Sequence, residues 1–233
     1  MIDWLFDLSH WTGSEGILVR VAEHLLYSAI ALLIAAVIAV PIGLYVGHTR
    51  KGVVWVAGFA NILRALPSIG LIVLLVIVFG PLFASDLAFL IPSLIVLVLL
   101  AVPPIMTGTY AGMVAVDAAV VDAARGMGYN PLGILFRVEL PCALPLMLSG
   151  LRGATLQVIS TATIASYVSL GGIGRLIIDG RAQNDYAQMA AGAFLVAVLA
   201  LGVDLLIGLL SFILVSPGLT RRTTKVVRRS SIC

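Results

Sequence analysis

An all-α polytopic membrane protein with five spanning helices is the fold this sequence predicts, on three observations. Of 233 residues, 61% are hydrophobic and only 11% charged, where a soluble domain carries about a quarter charged residues. Five segments each supply the roughly 20 predominantly apolar residues that a helix needs to cross the hydrocarbon. The basic residues gather at the edges of those segments. The same pattern accounts for a pI near 9.1 without a nucleic-acid-binding patch.

Residues 1–24 form a segment ahead of the first span. Asp3 and Asp7 stand where a signal peptide would have basic residues, so it does not read as one. Trp4, Leu5, Leu8 and Trp11 can form one face of an interfacial helix, since indoles favour the headgroup level. The spans follow at about 25–46, 53–83, 87–109, 144–170 and 186–215. The first is free of charge and ends at "GHTRKG". The second is interrupted at "RALPS", where Pro67 removes a backbone N–H and disfavours helix at Leu66, so the span breaks there. Pro92 and the pair Pro103-Pro104 cross the third.

Ten Lys and Arg fall on one side of these spans: Arg50 and Lys51, then Arg125, Arg137 and Arg152, then the five of the tail 216–233. Arg20, Arg175 and Arg181 fall on the other, and Arg64 lies within a span. The positive-inside rule then places the amino terminus outside and the carboxyl terminus in the cytoplasm. The tail reads as an orientation signal lying on anionic lipid headgroups. Cys142 and Cys233 are too few for a disulfide framework and both fall on the reducing, cytoplasmic side.

Residues 112–143 are a cytoplasmic loop with structure of its own. Asp117 caps a helix with the body "AAVVDAARGM", and Gly128 stops it in the left-handed conformation. Asn130 and Pro131 start a second helix over Leu132–Leu140, ending before Pro141. Ala118, Ala119, Ala123 and Ala124 let the first helix approach another surface closely. Asp122 and Arg125, three apart, can pair with each other or with a partner.

Within the spans, Arg64 beside the break is expensive and is either functional or snorkels to the surface. Thr155, Gln157, Ser160, Thr161, Thr163, Ser166, Tyr167 and Ser169 make the fourth span polar, as helix packing or a solute route would require. Asp204 deep in the fifth suggests a proton relay and an ion-coupled transporter or channel. No other span supplies a second station, so a paired structural acid is the better reading. His10, His24 and His48 lie in three separate segments, which leaves no metal cluster, and no nucleophile–base arrangement points to an enzyme.

The loop resembles the EAA motif of importer permeases of the ATP-binding-cassette class. That pattern is an acid, Ala-Ala, three residues, Gly, nine residues, then Ile-x-Leu-Pro. Asp122-Ala123-Ala124, Gly128 and Val138-Glu139-Leu140-Pro141 match it without a gap, with Asp for Glu and Val for Ile. Further stretches, "RALPSIGLIVLL", "VPPIMTGTYAGM" and "ATIASYVSLGGIGRLIIDG", resemble permeases for osmoprotectants such as glycine betaine, choline, carnitine or proline-like solutes. "NILRALPSIGLIVLL" suits methionine importer permeases almost as well.

The resemblance implies a five-helix permease core whose coupling helix seats in a separate cytoplasmic ATPase dimer. Asp122, Ala123, Ala124, Arg125, Gly128 and Pro141 are its coupling residues. ATP and magnesium would bind the ATPase; this chain contains no G-x-x-x-x-G-K-[ST] loop and would hold no cofactor. A second permease, an extracytoplasmic solute-binding protein and the small osmolyte complete the expected partners. Arg64, Pro67, Thr107, Tyr110, Thr161 and Tyr167 are the expected pathway residues, and the outer helix after "SLGGIG" would face the binding protein.

Overall fold

The structure is a computed structural model that describes residues 2–83, 86–168 and 170–215, and every regular element among these residues is helical. Ser169, the basic tail and Cys233 lie outside the described residues.

Helix α2 (Ile17–Thr49) starts before the first apolar run and draws Arg20, Glu23 and His24 into its opening turns. Its 33 residues span about 50 Å, so its ends project beyond roughly 30 Å of hydrocarbon. Its buried residues, among them Ser28, Ala31, Ala35, Ala39 and Gly43, recur every three or four positions as one stripe of small side chains. The second apolar segment divides into α3 (Val53–Ala65) and α4 (Ser68–Phe79), bent by 87°. Leu66 and Pro67 are extended there, with ψ of 131° and 113°. The break falls where Pro67 forces it.

Helix α5 (Leu87–Val114) is the centre of the bundle and packs against α2, α3, α4 and α8. Val96, Leu97, Ala101 and Ile105 on it are buried in the main core. Small residues bring the helices together. A Cβ added to Gly43 would lie 2.6 Å from the Thr109 Cβ, and one on Gly108 would lie 2.7 Å from the Gly150 Cα. Close backbone approach of this kind replaces the hydrophobic drive that lipid cannot supply.

After α5 come α6 (Ala118–Gly126), α7 (Pro131–Ile134), a π-helical turn over Leu135–Glu139, and α8 (Leu140–Ala165). The second loop helix therefore does not end before Pro141. It runs on as the fourth span, one helical run over Pro131–Val168. A proline clashes with the carbonyl four residues back in an α-helix. Here that carbonyl belongs to Arg137, inside the wider π turn, so the chain absorbs Pro141 without stopping.

Helices α9 (Gly174–Gln183) and α10 (Tyr186–Leu214) complete the chain, and α10 buries little beyond Ala191 and Gly192. Four helices are long and apolar enough to cross a membrane, and the bent α3–α4 pair makes five.

The N-terminal segment also differs from the interfacial helix expected. It forms α1 (Ile2–Phe6) and a 3-10 turn at Leu8–His10, folded back on the protein. Trp4, Leu5 and Trp11 pack against Ile17, Ile173 and Leu176. The Trp11 indole donates to the Leu5 carbonyl at 2.7 Å, and Trp4 stacks on His10 with ring centroids 4.1 Å apart. Leu8 alone of the four expected positions points outward, 78% exposed. Because α8 runs from the end of α6 to the start of α9, this cap and the 112–143 loop occupy opposite ends of the bundle.

Candidate coupling loop and translocation cleft

Helix α6 is capped as its sequence requires. The Asp117 carboxylate accepts from the Ala119 N–H at 3.0 Å. At the other end Gly128 takes φ +87°, and the Gly128 and Tyr129 N–H groups donate back to the Arg125 and Ala124 carbonyls. The Asn130 side chain accepts from the Gly133 N–H at 2.7 Å and starts α7. Asp122 and Arg125 pair at 3.2 Å with both side chains largely exposed. Ala118, Ala119 and Ala123 are exposed too, whereas Ala124 is 2% exposed and packs into its own chain. Pro141 is exposed at the root of α8.

Sequence reasoning missed the apolar rim of this loop. Met127 and Leu132 are 72% and 66% exposed, and Phe136 stands out beside them. Large apolar side chains flanking a helix stop outside the spans were the signal for it. Together with Gly128 and Arg137, Met127 lines a shallow cleft of about 370 Å³. The loop is tied to the bundle at two points. His48, in the last turn of α2, meets the buried Glu139 at 2.5 Å, and Arg50 donates to the Val114 carbonyl at 3.3 Å, ending α5.

The expected pathway residues divide into two groups. Arg64 and Pro67 are exposed at the α3–α4 break. Arg64 lines a cleft of about 380 Å³ with Ser68, Pro103, Pro104, Gly153 and Gln157. Thr161 is 2% exposed and faces the core, where its hydroxyl accepts from the Gln157 amide at 3.5 Å. Tyr110 packs against the main core, and the Thr107 hydroxyl donates to the Pro103 carbonyl of its own helix at 2.8 Å. Tyr167, at the far end of α8, is 62% exposed. The structure brings none of these four to the Arg64 cleft.

Arg152 needs a correction. Charge counting assigned it to the loop, yet it lies in the middle of α8. There its guanidinium grips the Asp204 carboxylate of α10 with two hydrogen bonds, Nε to Oδ1 at 2.6 Å and Nη2 to Oδ2. Asp204 is thus the paired acid the sequence favoured over a relay. The glycine bend ahead of α9 is held similarly: the Gly172 N–H donates to Glu23 at 2.8 Å, and Glu23 pairs with Arg20 at 3.1 Å. Among the described residues no cluster of three His, Cys, Asp or Glu could hold a metal ion.

Residues 39–216 match the family described as binding-protein-dependent transport system inner membrane component. The chain belongs to that family. Curated relatives within reach include the choline transport system permease protein OpuBD of Bacillus subtilis (strain 168), 35% identical over 86% of each chain. The carnitine transport permease protein OpuCD of Listeria monocytogenes is 34% identical, covering 80% of this chain and 81% of its own. The osmoprotectant import permease protein OsmW of Salmonella typhimurium is 30% identical, covering 84% and 91%. In three dimensions the chain is similar to the inward-facing MetNI methionine ABC transporter, with a TM-score of 0.75 at 21% identity over 86% of this chain and 97% of that one. The fold is accordingly that of an importer permease of the ATP-binding-cassette class, and this family member is a multi-pass membrane protein.

Proposed function

We propose that this chain is the permease subunit of an ATP-driven importer of small osmoprotectants, the choline, carnitine and glycine betaine class. The observation that carries the solute class is the likeness to relatives named for choline and carnitine transport, at up to 35% identity over most of both chains. Behind the methionine alternative stand the "NILRALPSIGLIVLL" stretch and a likeness of fold at 21% identity.

In this reading the α6 end faces the cytoplasm and the N-terminal cap faces outward, in a bacterial inner membrane. A separate ATPase dimer binds ATP and magnesium and receives α6 through Asp122, Ala123, Arg125 and the Gly128 turn, with Met127 and Leu132 sealing the contact. Ala124 supports the helix from beneath. A solute-binding protein delivers the osmolyte to the cap and α9. A second permease, identical or homologous, supplies the other half of the route. Rotation of the ATPase subunits reaches the membrane mechanically, because the loop is tied to α2 through His48–Glu139 and continues into α8.

The test is ATP-driven uptake of labelled glycine betaine in vesicles holding the assembled complex, with any ion gradient collapsed. Uptake should persist, and Asp122→Lys or Gly128→Val should reduce it at least 10-fold while the ATPase co-purifies poorly. Uptake that follows the ion gradient, or both variants behaving as wild type, would overturn the reading.

A further inference from the structure

Arg64 is an intramembrane charge that neither the coupling scheme nor the Arg152–Asp204 pair uses. Its cleft lies at the level of Pro103 and Gly153, the middles of the 28-residue α5 and the 26-residue α8. Among the described residues no carboxylate lies within 4 Å of its guanidinium. An uncompensated cation at mid-membrane is costly unless it faces water or an anion. The neighbouring backbone raises that demand. The helix breaks at Leu66–Pro67, Pro67 offers no side-chain cap to the first turn of α4, and Ser68 of that turn lines the same cleft. Broken backbone at this depth is tolerated where it lines a cavity. At about 380 Å³ the cleft lies near the lower end of the range for small-molecule sites, about 300–1,000 Å³.

A positive charge beside a hydroxyl-bearing residue and an uncapped helix start suits an anionic group. We propose that Arg64 binds the carboxylate of the passing solute, so that this permease favours carboxylate-bearing zwitterions, betaine-like or carnitine-like, over choline. The planar fork of arginine suits a carboxylate, which accepts two N–H bonds at once. Choline has no carboxylate and carries a cation that Arg64 repels. The proposal rests on the importer reading above and gives it a specificity residue within the permease.

The test uses the whole complex in vesicles, with one binding protein throughout, and measures ATP-driven uptake of labelled glycine betaine and choline. Arg64→Gln should lower betaine uptake at least 10-fold and raise the choline-to-betaine ratio about as much. Arg64→Lys keeps the charge but loses the fork, so betaine uptake should fall a few-fold with choline unchanged. If Arg64→Gln does not assemble with the ATPase, the lysine variant decides by the same ratio. Should choline stay at background in every complex, the betaine arm decides alone. Both solutes falling equally, or neither changing, would overturn the assignment. Wild-type complex that accumulates neither solute with ATP present would instead sink the importer reading, an outcome no Arg64 variant can imitate.

Discussion

Two arginines sit at mid-bundle, and the chain treats them differently. Arg152 on α8 has a fixed anion, the Asp204 carboxylate of α10, held by two hydrogen bonds. Arg64 on α3 has an open cleft. The first arrangement joins two helices, and α10 has few other buried contacts to hold it. The second keeps a charge exposed beside a broken helix. A charge satisfied within the protein is structural, whereas one left without a partner is, in the proposal above, available to a solute.

The comparison can be broken in order of expected effect. Asp204→Ala leaves Arg152 without its anion, and should cost most: a clear fall in the thermal midpoint of the detergent-solubilised complex, with poor recovery. Adding Arg152→Met should restore much of the loss, since removing both members of an ion pair is milder than removing one. A double variant as damaged as the single would mean that the pair does not explain the role of Asp204. Next, Gln157→Glu places a carboxylate in the cleft of Arg64 and makes it resemble Arg152. Glycine betaine uptake should fall several-fold with the complex still assembled; unchanged uptake would show that the cleft need not be vacant. Smaller still, Gly128→Ala meets no neighbouring atom within 4 Å, so its cost is the left-handed backbone alone, about 1–2 kcal/mol. A loss well above that in urea or thermal melts would point to a packing role for Gly128. Smallest, Arg64→Gln should leave the thermal midpoint unchanged or slightly raised, because no internal partner is lost. A large fall would place Arg64 with Arg152 as a structural residue.

Local chemistry was legible in the sequence, and distant pairing was not. Asp117, Asn130 and Gly128 each act within a few residues of themselves, so caps and stop were readable. The same holds for the break at Pro67. Pro141 misled because its consequence depends on the hydrogen-bond register upstream, and a π turn has no residue signature. Arg152 misled because its partner lies 52 positions away, and a count of charges cannot see a partner. Trp4 and Trp11 have the composition of a lipid interface, yet composition does not distinguish headgroups from a protein surface, and here Ile173 and Leu176 provide the latter. At the cleft, Arg64 was readable as a costly charge, but the convergence of α3, α5 and α8 around it was not.

The uninterrupted run from Pro131 to Val168 has a mechanical consequence. Its 38 residues make a lever of about 57 Å, with one end beside the Gly128 turn and the other beside the glycine bend that Glu23 holds. Had Pro141 broken the helix, a hinge would separate the two ends and dissipate any tilt imposed from below. Over that length a pivot of about 10° at the inner end sweeps the outer end through about 10 Å, at about 1.5 Å per residue. That travel is comparable to the width of a helix.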